Sequence, residues 1–457
     1  MSAATRTPLL ALLAAVLAMP TSSAHAHGRE PALGHIAFHP TDRDLVVVRA
    51  TWGFITTRDG GDTWTWQCAD AVPFDRTRED PGLALFASGA LVTATFDGLH
   101  RSDEARCAWS PAEGAPTDAF VTDVIRDPTA PSIGWAISSP GMTPDVVHRS
   151  DDEGRTWTAV SMPHEAALTD RIRIAPSDGT RIYTSGVVPR SIDMELRLGM
   201  VLRSDDRGAT FRALPVELIG EERTVHLLGV DPTDADRVFA RAVRRVTDEV
   251  PERLLLSEDG GETWTTVLEL LEIVGFAISE DGRTVWAGSW DGGLHRSTDG
   301  GLTFTPLDPS LRIRCLAHRA GELWVCADDF VSGFALARSS DGGDTLEPLW
   351  SFHDVVPDVG CPASTEVGTL CPMYWPDLVY DLQLDGAVPP DGSLLDGGVA
   401  VDAGGDAGGG GCGCAVIGSS RPETPRRGLL GLVMLVALGA ALARRSNDRG
   451  RRRHGRI

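Results

Sequence analysis

Carboxylates and scattered aromatics, more than histidines or thiols, are the side chains of this chain with the numbers to do chemistry. There are 64 Asp and Glu residues, and a glycoside hydrolase of either stereochemistry needs only two of them, facing each other across a cleft. No pair stands out by spacing. No Ser-His-Asp order and no phosphate-cradling glycine loop emerges, and His35, His39 and His226 are isolated, as strand histidines usually are. Six aspartates do recur in a fixed setting: Asp59, Asp152, Asp206, Asp259, Asp299 and Asp341. Recurrent aspartates suggest either cation ligands or turn staples. None continues into a calcium loop ending in Glu, so the staple is expected and neither metal nor cofactor is called for. A second group joins aromatics to carboxylates beside glycines: Trp52, Phe96, Asp97, Trp290, Asp291 and Phe330. Such residues around a mouth suit sugar stacking or peptide docking, whereas buried they would serve as packing between structural units.

The elements that position these residues are repeats. The aspartates belong to an eight-residue phrase, Ser/Thr-x-Asp-x-Gly-x-Thr-Trp/Phe, starting at 57, 150, 204, 257 and 297; the copy at 339 ends in Leu346. A degenerate copy at 102 has Glu104 in the aspartate slot and Arg106 in the glycine slot. Residues alternate apolar and polar on both sides of each phrase, so each is a tight corner between two strands. Upstream, residues 273–278, 284–288 and 293–296 give three further strands before the corner at 297. Four strands per unit, repeated seven times at intervals of 40–54 residues, predict an all-β, seven-bladed β-propeller with four-stranded blades. Corners between strands three and four share a face with the strand one–two turns. The strand two–three loops, which carry all six residues of the aromatic–carboxylate group, then lie on the opposite face with the blade crossovers.

The repeated phrase resembles that of the Asp-box (BNR) family, which includes sialidases, sortilin-type receptor domains and photosystem II assembly-factor-like propellers. The resemblance covers about 320 residues and implies fold more than function. Hydrolysis by the sialidase route implies a Tyr–Glu nucleophile pair, an acid/base Asp and three arginines on the substrate carboxylate. Only Tyr183, Tyr374 and Tyr380 exist, and the family's Arg-Ile-Pro signature is absent before the first box; Arg173-Ile174-Ala175-Pro176 is an interrupted lookalike. The expected function is therefore a non-catalytic propeller binding a protein or neutral glycan through its loop face. An Asp-box glycoside hydrolase is the alternative and a structural envelope component a third reading.

Beyond the propeller, expected at 27–355, the chain carries appendages. Residues 1–26 read as a signal peptide, with an apolar core at 9–19 and Ala24-His25-Ala26 as the cleavage site. Export makes disulfides plausible. Cys315 and Cys326 should face each other across a hairpin, Cys361 and Cys371 bracket a ten-residue loop in a Cys-containing extension at 356–384, and Cys68 and Cys107 are left to pair. Residues 385–411 form a Gly/Asp/Ala-rich flexible linker. In 412–457, Cys412-Gly413-Cys414 precedes an apolar run at 428–443 and a terminal arginine cluster. That order resembles the C-terminal sorting signal of myxobacterial surface proteins (MYXO-CTERM type). It implies a transmembrane helix, a sorting protease cutting near the cysteines, and a lipid on Cys412 or Cys414. The protein is expected to cross the inner membrane and to be held by helix or lipid at the surface of a bacterium, as a monomer. A formal charge of −22, with no lysine in the chain, argues against nucleic acid, and against polyanions unless arginines cluster locally.

Overall fold

The computed structural model describes residues 29–384 apart from 73, 117–118, 142–143, 190–196, 245–249 and 358–359. Seven antiparallel sheets, each built from four consecutive strands, form the seven blades. Their inner strands are Leu33–Phe38, Gly82–Leu85, Phe120–Arg126, Leu168–Ala175, Thr224–Val230, Ile273–Ile278 and Ile313–Arg319. Second strands such as Val46–Ala50 and Val285–Ser289 are almost wholly buried, because neighbouring sheets cover both of their faces.

Each repeated phrase folds into the same hydrogen-bonded corner. At the third, Ser150 Oγ donates to Asp152 Oδ1 (2.8 Å) and accepts from the Gly154 amide (2.9 Å). The Thr156 amide and hydroxyl donate to the two Asp152 carboxylate oxygens at 2.9 and 2.7 Å. Equivalent bonds hold Asp59, Asp206, Asp259, Asp299 and Asp341, so both oxygens of each carboxylate are spent within its own turn. The threonine bonds pull the Asp59 carboxyl down to about 2, as expected of a carboxylate that accepts several donors. Gly154 has φ +76°, and a Cβ there would lie 2.4 Å from Val92 of the preceding blade, so this glycine serves both the turn and the blade contact. In the degenerate corner Arg106 takes that conformation itself, at φ 56°, and its buried guanidinium donates to the Gly89 carbonyl at 3.2 Å.

The four antiparallel strands of every blade are consecutive in the chain, so none of those four is borrowed from the other end. The extension after blade 7 holds the ends together instead. Val356–Pro357 pairs in parallel with Thr65 and Trp66 of blade 1. A short helix in blade 7, α1 (Asp329–Ser332), is followed in the extension by a longer one, α2 (Glu366–Asp381), capped by Thr365. Helix α2 buries Val367, Cys371 and Leu378, and Trp375 packs on Trp66 at 5.7 Å.

The disulfides correct two expected pairings. Cys315–Cys326 forms across its hairpin as anticipated, but the others are Cys68–Cys371 and Cys107–Cys361. The reason is that α2 stands where a loop was expected. Cys361 precedes the helix and Cys371 lies in its second turn, so the axial rise carries them apart and each meets a different blade. Among the described residues no helix is long and apolar enough to cross a membrane. The signal peptide, the linker, Cys412, Cys414 and the expected membrane helix at 428–443 lie outside the described residues.

Candidate functional site

The strand two–three loops and the crossovers share one face, and the ring axis opens there into a cavity of about 630 Å³ bordered by all seven inner strands. Six arginines line it: Arg29, Arg49, Arg171, Arg173, Arg241 and Arg314. The carboxylates lining it are Glu30, Asp80, Asp123 and Glu272. Toward the corner face a smaller cavity of about 290 Å³ follows, and His35, Asp123 and Arg173 border both, marking the constriction between them.

Alternation along the strands delivers these groups. Arg171 and Arg173 are two apart on the inner strand of blade 4, a spacing that sends both toward one side of the sheet. Arg173 Nη1 meets Asp123 of blade 3 at 2.8 Å and its Nε donates to the Leu228 carbonyl of blade 5 at 3.2 Å, so one side chain ties three blades. Arg49 reaches Asp80 at 3.4 Å, and burial outweighs that partner, lowering the guanidinium to about 10. Arg241 pairs with Glu252 at 3.3 Å and Arg314 with Glu30 at 3.2 Å. His226 faces Asp170 at 2.6 Å. Arg171 differs from the other five arginines. Among the described residues it bonds to carbonyls, those of Asp170 at 3.2 Å and Thr122 at 3.5 Å, and not to a carboxylate. At the rim Glu272 adopts φ 49°, and burial raises its carboxyl.

The structure distributes the six aromatic–carboxylate residues unequally. Trp52 is only 5 % exposed, packed against Trp66, Trp350 and Phe352 at 6.1–6.2 Å. It is therefore blade packing and not rim. Trp290 does border the cavity, but Arg314 lies over its ring at 3.6 Å and Arg312 at 5.1 Å. Phe96, Asp97, Asp291 and Phe330 are exposed on the same face without lining the cavity. Tyr183 is fully buried and donates to the Ala235 carbonyl at 2.8 Å, a structural position. Residue-type reasoning missed the arginines. The available signal was Asp170-Arg171-Ile172-Arg173-Ile174, where arginines occupy one side of a strand whose other side is apolar. Arg173, set aside as part of a lookalike motif, sits at the constriction.

Two histidines are held neutral by their surroundings. Burial, then the Arg49 charge, pushes His35 down to about 3, and burial lowers His148, bonded to Ser138 at 2.8 Å, to about 4. Unfolded, both take up protons near pH 6.5. Between pH 6.5 and 3 the unfolded chain therefore binds more protons than the folded one, and stability falls as pH falls through that window. Urea unfolding at pH 5 should show a loss of about 2 kcal/mol per histidine relative to pH 7. His148→Gln should remove its own share of that difference.

No protein-family profile matches the chain, and no curated protein sequence matches it. Among solved structures it is similar to an ancestral GH74 enzyme, with a TM-score of 0.52 and 11 % identity over 70 % of this chain and 46 % of that one. The chain thus spans about half the length of that enzyme. It is also similar to YCF48 bound to D1 peptide, with TM-score 0.45 and 15 % identity over 66 % of this chain and 93 % of that one. YCF48 from Cyanidioschyzon merolae gives TM-score 0.45 and 16 % identity over 66 % and 94 %. The likeness to the ancestral GH74 enzyme, at 11 % identity, shows the fold alone.

Proposed function

We propose that this chain is a non-catalytic binding propeller whose ligand seats a carboxylate-bearing group at the loop-face mouth of the central channel. The observation that carries this reading is the arginine cluster, and within it Arg171, which has no carboxylate partner among the described residues. Six guanidinium groups against four carboxylates line a concave site in a chain of formal charge −22. Glu252 and Asp170 stand just behind the lining, on Arg241 and His226, so the cation left for a ligand is Arg171, and low-dielectric walls strengthen its field. The ligand chemistry accordingly shifts from the neutral glycan expected above to an anion-bearing segment of a protein or glycan. Of the four channel carboxylates, Asp80, Asp123 and Glu30 are each held by an arginine, so Glu272 has no second free carboxylate among the lining residues to work with, which argues against hydrolysis.

The three disulfides support placing this protein in an oxidising compartment. With the sequence features of 1–26 and 412–457, we read it as exported and tethered at a bacterial cell surface, where the loop face would capture its ligand.

Binding of a dye-labelled oligoglutamate peptide and of an oligogalacturonate tests the reading. Affinity for at least one should fall as salt rises, and Arg171→Gln should weaken it about tenfold, the loss of one charge-assisted hydrogen bond. Binding indifferent to both salt and Arg171 would contradict the proposal. So would turnover of the oligosaccharide.

A further inference from the structure

Resting on the arginine mouth just proposed, we infer that Phe96 and Phe120 form an apolar subsite beside it, and that the ligand is an extended acidic polypeptide carrying a large apolar side chain next to its acidic residue. Phe96 and Phe120 are 39 % and 50 % exposed, yet they meet edge to face with ring centroids 5.0 Å apart. They come from different blades, Phe96 from the two–three turn of blade 2 and Phe120 from the start of the inner strand of blade 3. With Phe330 they are the exposed phenylalanines among the described residues, and all three lie on the loop face. A preorganised pair of solvent-facing rings is an apolar surface kept out of the core.

The pair stands at a defined step from the charge. Thr122, whose carbonyl accepts from Arg171 Nη1 at 3.5 Å, is two residues beyond Phe120 on the same strand, at a bulge in its pairing, roughly 6–7 Å along it. The Thr122 hydroxyl also donates to the Thr169 carbonyl of blade 4 at 3.2 Å, so the strand carrying Phe120 is fastened to the one carrying Arg171. A step of roughly 6–7 Å is two residues of an extended polypeptide. An acidic side chain on Arg171 would therefore place a residue two positions away over the phenylalanines.

The same aromatics disfavour a glycan. Sugar rings stack on open, flat aromatic faces. Here Trp290 is covered by Arg314, Trp52 is buried, and Phe330 leans edge-on against Phe352. What the mouth leaves available is a two-ring apolar ledge beside a cation, which matches alternating apolar and acidic side chains.

The test is display selection of random heptapeptides, flanked by fixed Gly-Ser linkers so that no chain terminus is presented, on the immobilised full chain in mild detergent. Wild type should enrich acidic residues with an aromatic or large aliphatic residue two positions away, at least threefold above its frequency in the library. Phe120→Ser and Phe96→Ser, both exposed and so compatible with folding, should keep the acidic preference and return that position to library frequency. Arg171→Gln should lose the acidic preference. Acidic enrichment without an apolar preference overturns the subsite and leaves the arginine mouth standing. An apolar preference that survives both serine variants also overturns it. Failure of wild type to enrich any peptide overturns the polypeptide assignment, and oligogalacturonate binding that still depends on Arg171 would then show that the mouth serves a glycan.

Discussion

Replacing Cys68 and Cys371 together with alanine is expected to lower stability by about 3–4 kcal/mol. The bond joins residues 303 apart and fastens α2 to the outer strand of blade 1. Its partner Cys107–Cys361, nested inside it with a separation of 254, fastens the same extension to blade 2. With the inner member of that nest intact, the outer bond still closes a circuit of about 50 residues, enough to remove several kcal/mol of chain entropy from the unfolded state. Deleting both pairs should cost more than either, and α2 should then become the first site of proteolytic cleavage. Removing Cys315–Cys326, which closes a hairpin of separation 11, should cost less, because loop entropy grows with the logarithm of loop length. Urea unfolding of the three variants without reductant gives the order. Equal losses for the hairpin bond and the clasp bonds would mean that the extension contributes nothing to holding the ring closed.

Arg173→Leu is expected to cost about 3 kcal/mol or more in folding free energy. Asp123 is nearly inaccessible, with 7 % of its side chain exposed, and Arg173 is its ion-pair partner. Without the guanidinium that carboxylate keeps, among the described residues, the amide donors of Val124 and Ile172, both at 3.1 Å. The leucine also abandons the bond to the Leu228 carbonyl that reaches blade 5. Adding Asp123→Asn to Arg173→Leu should recover part of the loss, since an uncharged amide tolerates the site better than an unpaired charge. Arg171→Gln, by contrast, gives up only carbonyl bonds and should cost about 1 kcal/mol while weakening ligand binding. The two arginines, two residues apart, thus separate stability from recognition. A loss below about 1 kcal/mol for Arg173→Leu would show that water in the channel solvates Asp123 adequately.

The blades were legible because their corners are local. Each bond of the corner, Ser150 with Asp152 and Gly154 and Asp152 with Thr156, spans at most four residues, so the eight-residue phrase carries its own geometry wherever it occurs. Even the degenerate copy keeps the turn, with Arg106 accepting the glycine conformation. The hairpin disulfide was legible for the same reason, since Cys315 and Cys326 are register partners on adjacent strands.

The rest depended on which blades become neighbours around the axis. Trp52 and Trp290 look alike in the sequence, each before a glycine at the same turn. Trp350 and Phe352, arriving at the end of blade 7, help to bury the first, and Arg314 and Arg312 from the next blade cover the second. The clasp pairings were not readable, because cysteines 303 and 254 residues apart meet through a helix that nothing in the repeat announces. By itself the sequence determined six stapled corners and a degenerate seventh and, through them, the number and kind of blades. Ring closure alone decided the arginine mouth: Asp123 and Arg173 are 50 residues apart, and no pattern confined to one blade says which charges from seven inner strands will share one channel.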